Sequence, residues 1–384
     1  MAPDSREGYL KSVVQKNKKL LLHLSPLAAF GGCEINCLRI IQGLPAYRHT
    51  VVVFGGRGPM SAQWEAAGAT VVHLDAWEKG RGLFKLVLAA WAHGTEQPAG
   101  IYYCSTSRLS LVLQCLNDWP ARWAVYLGNP VAPGVVLRAR LLLEQIARAT
   151  PRNITLVACS QQVATSHRGA FFFGRFATEV IYNAVGGEFD RNRIHRALPI
   201  GSGPRIGMVA RLDVIKDHLT IIRALGEMRA VRDDVVIEFA GEGGLREMLQ
   251  QEAVRLGVER HVRFLGSVSA VAERIAGWDI YVHSTTVAEG MGTAVAEAMM
   301  NGLPCVVSDI SVMREVCGDD GAVYAPPAQP AAWSAVLLEL IMNQERRVAH
   351  GHAAQQRARA LFALPQVAAQ YLQIVAQNTK EGTS

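Results

Sequence analysis

Glu289 and Glu297 stand eight residues apart in EGMGTAVAE, and Arg211 and Lys216 stand five apart in RLDVIK. Carboxylates eight positions apart along a helix are separated by up to about 12 Å at 1.5 Å per residue. Carboxylate pairs that share hydrolytic acid–base work sit about 5–9.5 Å apart, so this spacing excludes such a pair. It suits two acids gripping separate hydroxyl-bearing parts of one elongated ligand; either acid taken alone reads equally as a solvated surface group. Arginine binds phosphate bidentately and lysine acts as a mobile point charge, so Arg211 and Lys216 suit a diphosphate. Without the acids nearby, the same spacing describes a solvated surface pair. Gly290 and Gly292 let backbone approach a ligand, and the free amides around Met291 to Ala294 favour an anionic or polar group. Gly31 and Gly32, in PLAAFGGCEIN, offer amides in the same way, or form a tight structural turn.

These residues need strands that end beside one another. Short apolar, β-branched runs alternate with longer helical patterns throughout: KLLLHLS, HTVVVFGG, ATVVHLD, GIYYCST, WAVYLG, TLVACS and TEVIYN, then RIGMVAR, VVIEFAGE, VRFLG, DIYVHS and PCVVSD. That alternation predicts an α/β fold with parallel sheets and crossover helices, and apolar runs fit strands covered on both faces. Between Asn183 and Arg205 the pattern breaks into glycines, prolines and mixed charge, which marks a linker. We read residues 1–18 as a basic extension, 19–190 as a first Rossmann-like domain, 191–204 as the linker and 205–363 as a second Rossmann-like domain. Residues 364–384 carry an amphipathic helix, LPQVAAQYLQIVAQN, placed to pack back on the first domain. GSGPRIG precedes a strand instead of following one, so it is not a dinucleotide fingerprint. TTVAEGMG does follow a strand, DIYVHS, and opens a helix ending at Gly302, so Glu289 belongs at the carboxyl edge of the second sheet.

With 384 residues, half hydrophobic and 19% charged, the chain can bury cores for two domains. No apolar run approaches the roughly 20 residues of a membrane span, and the N-terminus lacks a signal-peptide pattern, so a cytoplasmic protein is expected. The net charge of +6 favours anionic ligands or surfaces, but scattered basic residues and 7% aromatics argue against nucleic acid. Seven cysteines without CxxC or Cys/His spacing read as reduced, partly buried side chains instead of a zinc site. His23 and His73 fall in apolar strands and read as hydrogen-bonded core or edge residues; His283 leads to Glu289 and supports it. Arg138, Arg140, Arg148 and Arg152 flank a basic amphipathic stretch, either a surface helix or a contact to an anionic membrane. FFFGRF (171–176) is apolar anchoring or core.

GMVARLDVIKDH, EFAGEG, VRFLGSV and EGMGTAVAEAMMNGLPCVVSD, in this order and spacing, resemble the GT-B glycosyltransferases of family 4. The resemblance covers nearly the whole chain after the extension. It implies two Rossmann-like domains facing each other across a cleft and metal-free transfer of sugar from a nucleotide diphosphate sugar, UDP- or GDP-linked, with retention of configuration. No cofactor is implied. Glu289 and Glu297 would be the EX7E pair, the first contacting sugar hydroxyls and the second the ribose, while Arg211 and Lys216 neutralise the diphosphate. Met291, Gly292 and Thr293 would meet sugar and phosphate, Gly266 to Val268 the base, and Gly31 and Gly32 the phosphates from the first domain.

Two stretches depart from the family. Gly128 stands where many members carry a histidine, so VYLGNP, with Gly128 and Asn129, is placed on the acceptor side without that group. IYNAVGGEFD is altered around Asn183, which puts a hinge role there in doubt. The acceptor is open: a lipid-linked glycan, an oligosaccharide or a small natural product, with peripheral membrane contact for the first. The competing functions are a nucleotide-sugar epimerase or phosphorylase, and a non-catalytic sugar-nucleotide binder.

Overall fold

The computed structural model describes residues 18–105, 108–116, 118–131, 153–169, 176–191 and 203–376. The basic extension, the arginines at 138–152, most of FFFGRF and most of the 191–204 linker lie outside the described residues. The chain forms two compact units, residues 1–184 with 364–384, and residues 185–363. The division at 184/185 falls six residues before the boundary read from the sequence.

The first unit holds a parallel sheet of seven strands in the order β3-β2-β1-β4-β5-β6-β7. Its strands are β1 (Leu20–Ser25), β2 (Arg48–Val53), β3 (Thr70–His73), β4 (Gly100–Tyr103), β5 (Arg122–Leu127), β6 (Ile154–Ala158) and β7 (Ala177–Val180). Crossovers are made by α1 (Gly32–Gly43), α2 (Pro59–Ala66), α3 (Gly80–His93), α4 (Leu109–Cys115) and α5 (Gln161–Gly169). Strand order reverses between β1 and β4, and the β1 exit carries Gly31 and Gly32.

The second unit holds six parallel strands in the order β10-β9-β8-β11-β12-β13. They are β8 (Arg205–Val209), β9 (Val236–Ala240), β10 (Val262–Gly266), β11 (Ile280–His283), β12 (Cys305–Ser308) and β13 (Val323–Ala325), connected by α6 (His218–Met228), α7 (Arg246–Arg255), α8 (Val271–Ala276), α9 (Thr293–Met300) and α10 (Ser311–Cys317). Helices α11 (Pro330–Met342) and α12 (Gln344–Leu361) follow, and α13 (Leu364–Ala376) belongs to the first unit. Here strand order reverses between β8 and β11, the position where open α/β sheets bind ligands. Arg211 leaves β8 and Glu289 follows β11, so both stand at that reversal.

The central strands of both sheets are buried almost throughout, as their Val/Ile/Leu runs require, while β3, β7 and β10 at the edges are only partly buried. β13, VYA, had no sequence signal because three residues carry no period. In β8, Gly207 makes room for the buried Trp278 ring, whose indole N–H donates to Glu238 at 2.8 Å. A methyl at Gly207 would land inside that ring. Gly207→Ala is therefore expected to destabilise the second unit by about 2–3 kcal/mol through overpacking. Denaturant unfolding followed by Trp fluorescence checks this, and an unchanged midpoint would contradict the packing.

Polar contacts hold the first unit together across sequence distance. Asn36 of α1 donates to the hydroxyls of Tyr102 (3.3 Å) and Tyr371 (3.1 Å), and its carbonyl accepts from the Ala184 amide at 3.4 Å. The Tyr126 hydroxyl donates to the buried Asn183 at 2.8 Å. Asn183 thus anchors the chain to β5 at the end of the first unit.

Candidate functional site

The loop leaving β8 is shaped by Asp213. Its carboxylate accepts from the amides of Ile215 (3.1 Å) and Lys216 (3.3 Å), closing a 3-10 turn over Val214–Lys216, and it also pairs with Arg211 at 3.0 Å. The turn is locked to the loop after β11: the Ile215 carbonyl accepts from the Thr286 amide at 3.0 Å, and the Thr285 hydroxyl lies 3.1 Å from it. A second lock runs from the Ser284 hydroxyl to the Asp217 carbonyl, 2.9 Å. These contacts hold the Lys216 ammonium against Glu289, with which it forms an ion pair.

Glu289 is 7% exposed. Its Oε2 accepts from Lys216 and from His283 Nε2 at 3.0 Å, with the Thr285 hydroxyl at 3.2 Å, and its Oε1 accepts from the Gly290 amide at 3.1 Å. Burial alone raises a carboxyl pKa, but here the bond from His283 and the Lys216 charge outweigh it and hold Glu289 well below the usual carboxylate range. Glu289 is therefore an ionised, buried carboxylate, fixed in orientation and unsuited to donate a proton. Burial pushes the His283 pKa down, the Glu289 bond opposes that, and Lys216 adds to the lowering.

Gly292 caps α9 in the left-handed region at φ 74°. A Cβ there would sit 2.9 Å from the Met313 methyl and 3.7 Å from His283 Nε2, so only glycine fits without displacement. The first turn of α9 carries no acidic residue, so no carboxylate of that turn offsets the positive end of the helix dipole. Glu297 lies in the next turn, half-buried, as its spacing required.

The structure thus brings Lys216, Glu289, His283 and the α9 start together. Arg211 stands apart in this arrangement: its side chain is 75% exposed and paired with Asp213. The sequence reading gave Lys216 to the diphosphate and Glu289 to the sugar as separate jobs, and their direct ion pair was not anticipated. Thr285 and His218 were missed altogether. His218, the first residue of α6, is 2% exposed and stacks edge-on against Phe239 at 4.9 Å. Burial, His283 and Lys216 push its pKa down to about 3, so it is neutral. KDH in sequence reads as an ordinary polar turn, so no signal pointed to it.

At the β10 edge, Gly266 has φ 70°, and its carbonyl accepts from the Gly241 amide at 2.8 Å. A Cβ on Gly266 would lie 2.8 Å from Glu242 Oε1. Val268 follows in the loop and is half-buried.

In the first unit, Gly31 is the N-cap of α1, and a Cβ on Gly32 would meet nothing within 4 Å. Glu34 occupies the same helix turn, with burial raising its pKa. Gly128 is hemmed in: a Cβ there would lie 2.9 Å from the Tyr126 ring and 3.4 Å from Cys33 Sγ. A side chain at 128 would have to displace the Tyr126 ring. The Asn129 carbonyl accepts from His167 Nε2 at 3.0 Å. His23 is bonded to His49 at 3.0 Å inside the core, and His73 lies 3.4 Å from the Ser61 hydroxyl. All seven cysteines are free thiols. Among the described residues, no group of three metal-binding side chains converges, and no helix is long and apolar enough to cross a membrane.

Residues 190–357 match the family described as glycosyl transferases group 1. The phosphatidyl-myo-inositol mannosyltransferase of Mycobacterium leprae is 33% identical over 162 residues, 40% of this chain and 39% of the relative. The putative glycosyltransferase EpsF of Bacillus subtilis is 31% identical over 120 residues, 31% of this chain and 30% of the relative. The chain therefore aligns with less than half the length of these curated relatives. In shape it is similar to Anabaena HepE, solved in complex with UDP and glucose, with a TM-score of 0.79 at 20% identity, covering 92% of this chain and 98% of that one. The chain has the GT-B fold of this neighbour, and its residues 190–357 match the glycosyl transferases group 1 family.

Proposed function

We propose that the protein is a retaining glycosyltransferase that moves a sugar from a nucleotide diphosphate sugar to an acceptor hydroxyl without a catalytic metal. The observation that carries this reading is the Lys216–Glu289–His283 cluster beside the acid-free start of α9, at the strand-order reversal of the second sheet. A lysine point charge and a helix start whose first turn carries no acid suit a diphosphate; a fixed, ionised carboxylate suits sugar hydroxyls and the positive charge that develops at the anomeric carbon.

In this reading the bond between the anomeric carbon and the phosphate oxygen breaks, and the nucleoside diphosphate leaves with the electron pair. Lys216, Arg211 and the amides of Met291, Gly292 and Thr293 stabilise it. The acceptor oxygen bonds to the same face of the sugar, and its proton passes to the departing phosphate. Glu297 holds the ribose and the stretch from Gly266 to Val268 the base. Gly128 and Asn129 belong to the acceptor side.

HepE was solved with UDP and glucose, which favours a UDP-sugar; the mycobacterial relative is named for mannosyl transfer to phosphatidyl-myo-inositol, which favours GDP-mannose and a lipid acceptor at a membrane surface. Thermal-shift measurement with UDP-glucose, GDP-mannose and ADP-glucose decides the donor class. A donor at 100 times its Kd is expected to stabilise the fold by about 2.7 kcal/mol. Mass spectrometry with candidate acceptors should then show the acceptor gaining one sugar while nucleoside diphosphate is released. No shift with any nucleotide sugar would sink the reading. A shift without transfer to any acceptor would leave a non-catalytic binder.

A further inference from the structure

His283 bonds Glu289 through one ring nitrogen only. The carboxylate carries no proton, so Nε2 must donate across the 3.0 Å contact, and Nδ1 is left bare. Nδ1 is buried and has no hydrogen-bond partner. The groups facing this imidazole are few: Lys216 from the 3-10 turn, the neutral His218 from α6, Tyr281 stacked at 6.3 Å from β11, Glu289 from the following loop, and Glu297 of α9, whose charge acts on Tyr281. The charges that act on the imidazole are one ammonium, Lys216, and one carboxylate, Glu289.

An arriving diphosphate upsets this balance. Its oxygens compete with Glu289 for the Lys216 ammonium, and each step of that ammonium toward phosphate leaves the buried carboxylate less neutralised. A buried charge deprived of its partner is strongly unfavourable. The imidazole bonded to that carboxylate can restore the pair by accepting a proton at Nδ1. We propose that His283 is a positioning residue that holds Glu289 in the free protein and takes up a proton from solvent when a nucleotide sugar draws Lys216 away. The inference rests on the donor reading above and adds a proton to it. The uptake keeps Glu289 ionised and oriented at the moment its carboxylate is needed by the sugar.

The sign follows from the two states. In the free protein the His283 pKa lies below 6.5 because of burial, and with donor bound it rises, so binding between these values consumes a proton. Donor affinity should therefore strengthen as pH falls from about 7.5 to 6, by up to roughly tenfold per unit for a whole proton. Calorimetric titration at pH 7 with UDP-glucose or GDP-mannose, whichever shifts the melting temperature, in buffers of different ionisation enthalpy, counts the protons directly. Both phosphates of these donors are singly charged throughout this range, so the ligand adds no titration of its own.

The expected result is measurable proton uptake, at most one per donor bound, for the native chain and none for His283→Gln, which keeps a donor to Glu289 but cannot titrate. Should His283→Gln fail to fold, the pH dependence of donor affinity in the native chain reads the same quantity. Donor binding that is independent of pH, with no uptake, overturns the inference and leaves the donor reading standing, as does uptake that persists in folded His283→Gln. If no nucleotide sugar binds, the donor reading falls and takes this inference with it.

Discussion

Lys216→Ala is expected to lower kcat by about 100- to 1,000-fold, the usual loss when one preorganised donor to a developing charge is removed. The reason is specific to the arrangement found. Arg211 is largely in solvent and already paired with Asp213, so its field on a leaving phosphate is screened. Lys216 is 16% exposed at the side chain and works next to buried groups, where a charge acts through less water. The same substitution strips Glu289 of its ion partner, so melting must be measured alongside. Breaking a buried pair from one side typically costs about 3–5 kcal/mol, less whatever is recovered when the remaining carboxyl takes a proton. Lys216→Arg separates the two effects: it retains charge and stability, but its planar guanidinium cannot follow the ammonium's path. Steady-state transfer at saturating donor is the measurement, and near-native turnover by Lys216→Ala would refute the assignment of Lys216 to the leaving group.

Glu289→Gln should act in an opposed way on binding and on rate. It keeps the shape and removes the charge, so Lys216 is no longer held by a carboxylate and is available to the diphosphate from the start. The expected outcome is a fall in KM together with a fall in kcat of about 100-fold or more, the pattern of a residue whose interaction belongs to the transition state and opposes the ground state. Initial rates over a range of donor concentrations resolve the two parameters. A raised KM with unchanged kcat would make Glu289 a simple binding group. The double variant Lys216→Ala with Glu289→Gln should lose far less than the product of the single losses, because neither residue acts alone.

Among the described residues, twelve of the thirteen strands lie in runs legible in the sequence, because strands of a parallel sheet are largely apolar and such runs stand out between amphipathic helices. β13 escaped because VYA is shorter than any period. The placement of the candidate residues was legible as far as backbone logic reaches: glycine at 292 after a strand, Glu297 one turn into the helix, and Arg211 and Lys216 at the neighbouring strand's exit. What escaped was the contact between those two halves. RLDVIK and EGMG are more than 70 residues apart, and only the reversal of strand order between β8 and β11 makes them neighbours. Asp213 illustrates the same limit. In sequence it is an acid between two cations; in the fold it caps the turn that aims one of them and pairs with the other.

The path of the chain through the two units has a consequence for how the protein is made. Residues 185–363 form the second unit, and Val185 is bridged to Ala363 with its amide donating to Phe362 at 2.8 Å, so that unit opens and closes at one point. The first unit is finished only by α13, which packs on α1 and β5 and brings Tyr371 to Asn36. Synthesis proceeds from the N-terminus, and domains generally fold as units while it does so. The last helix of the first unit is therefore made only after the whole of the second unit. The half of the molecule that is translated first is the half that matures last, with Asn36 and Tyr102 waiting for a partner nearly the whole chain away.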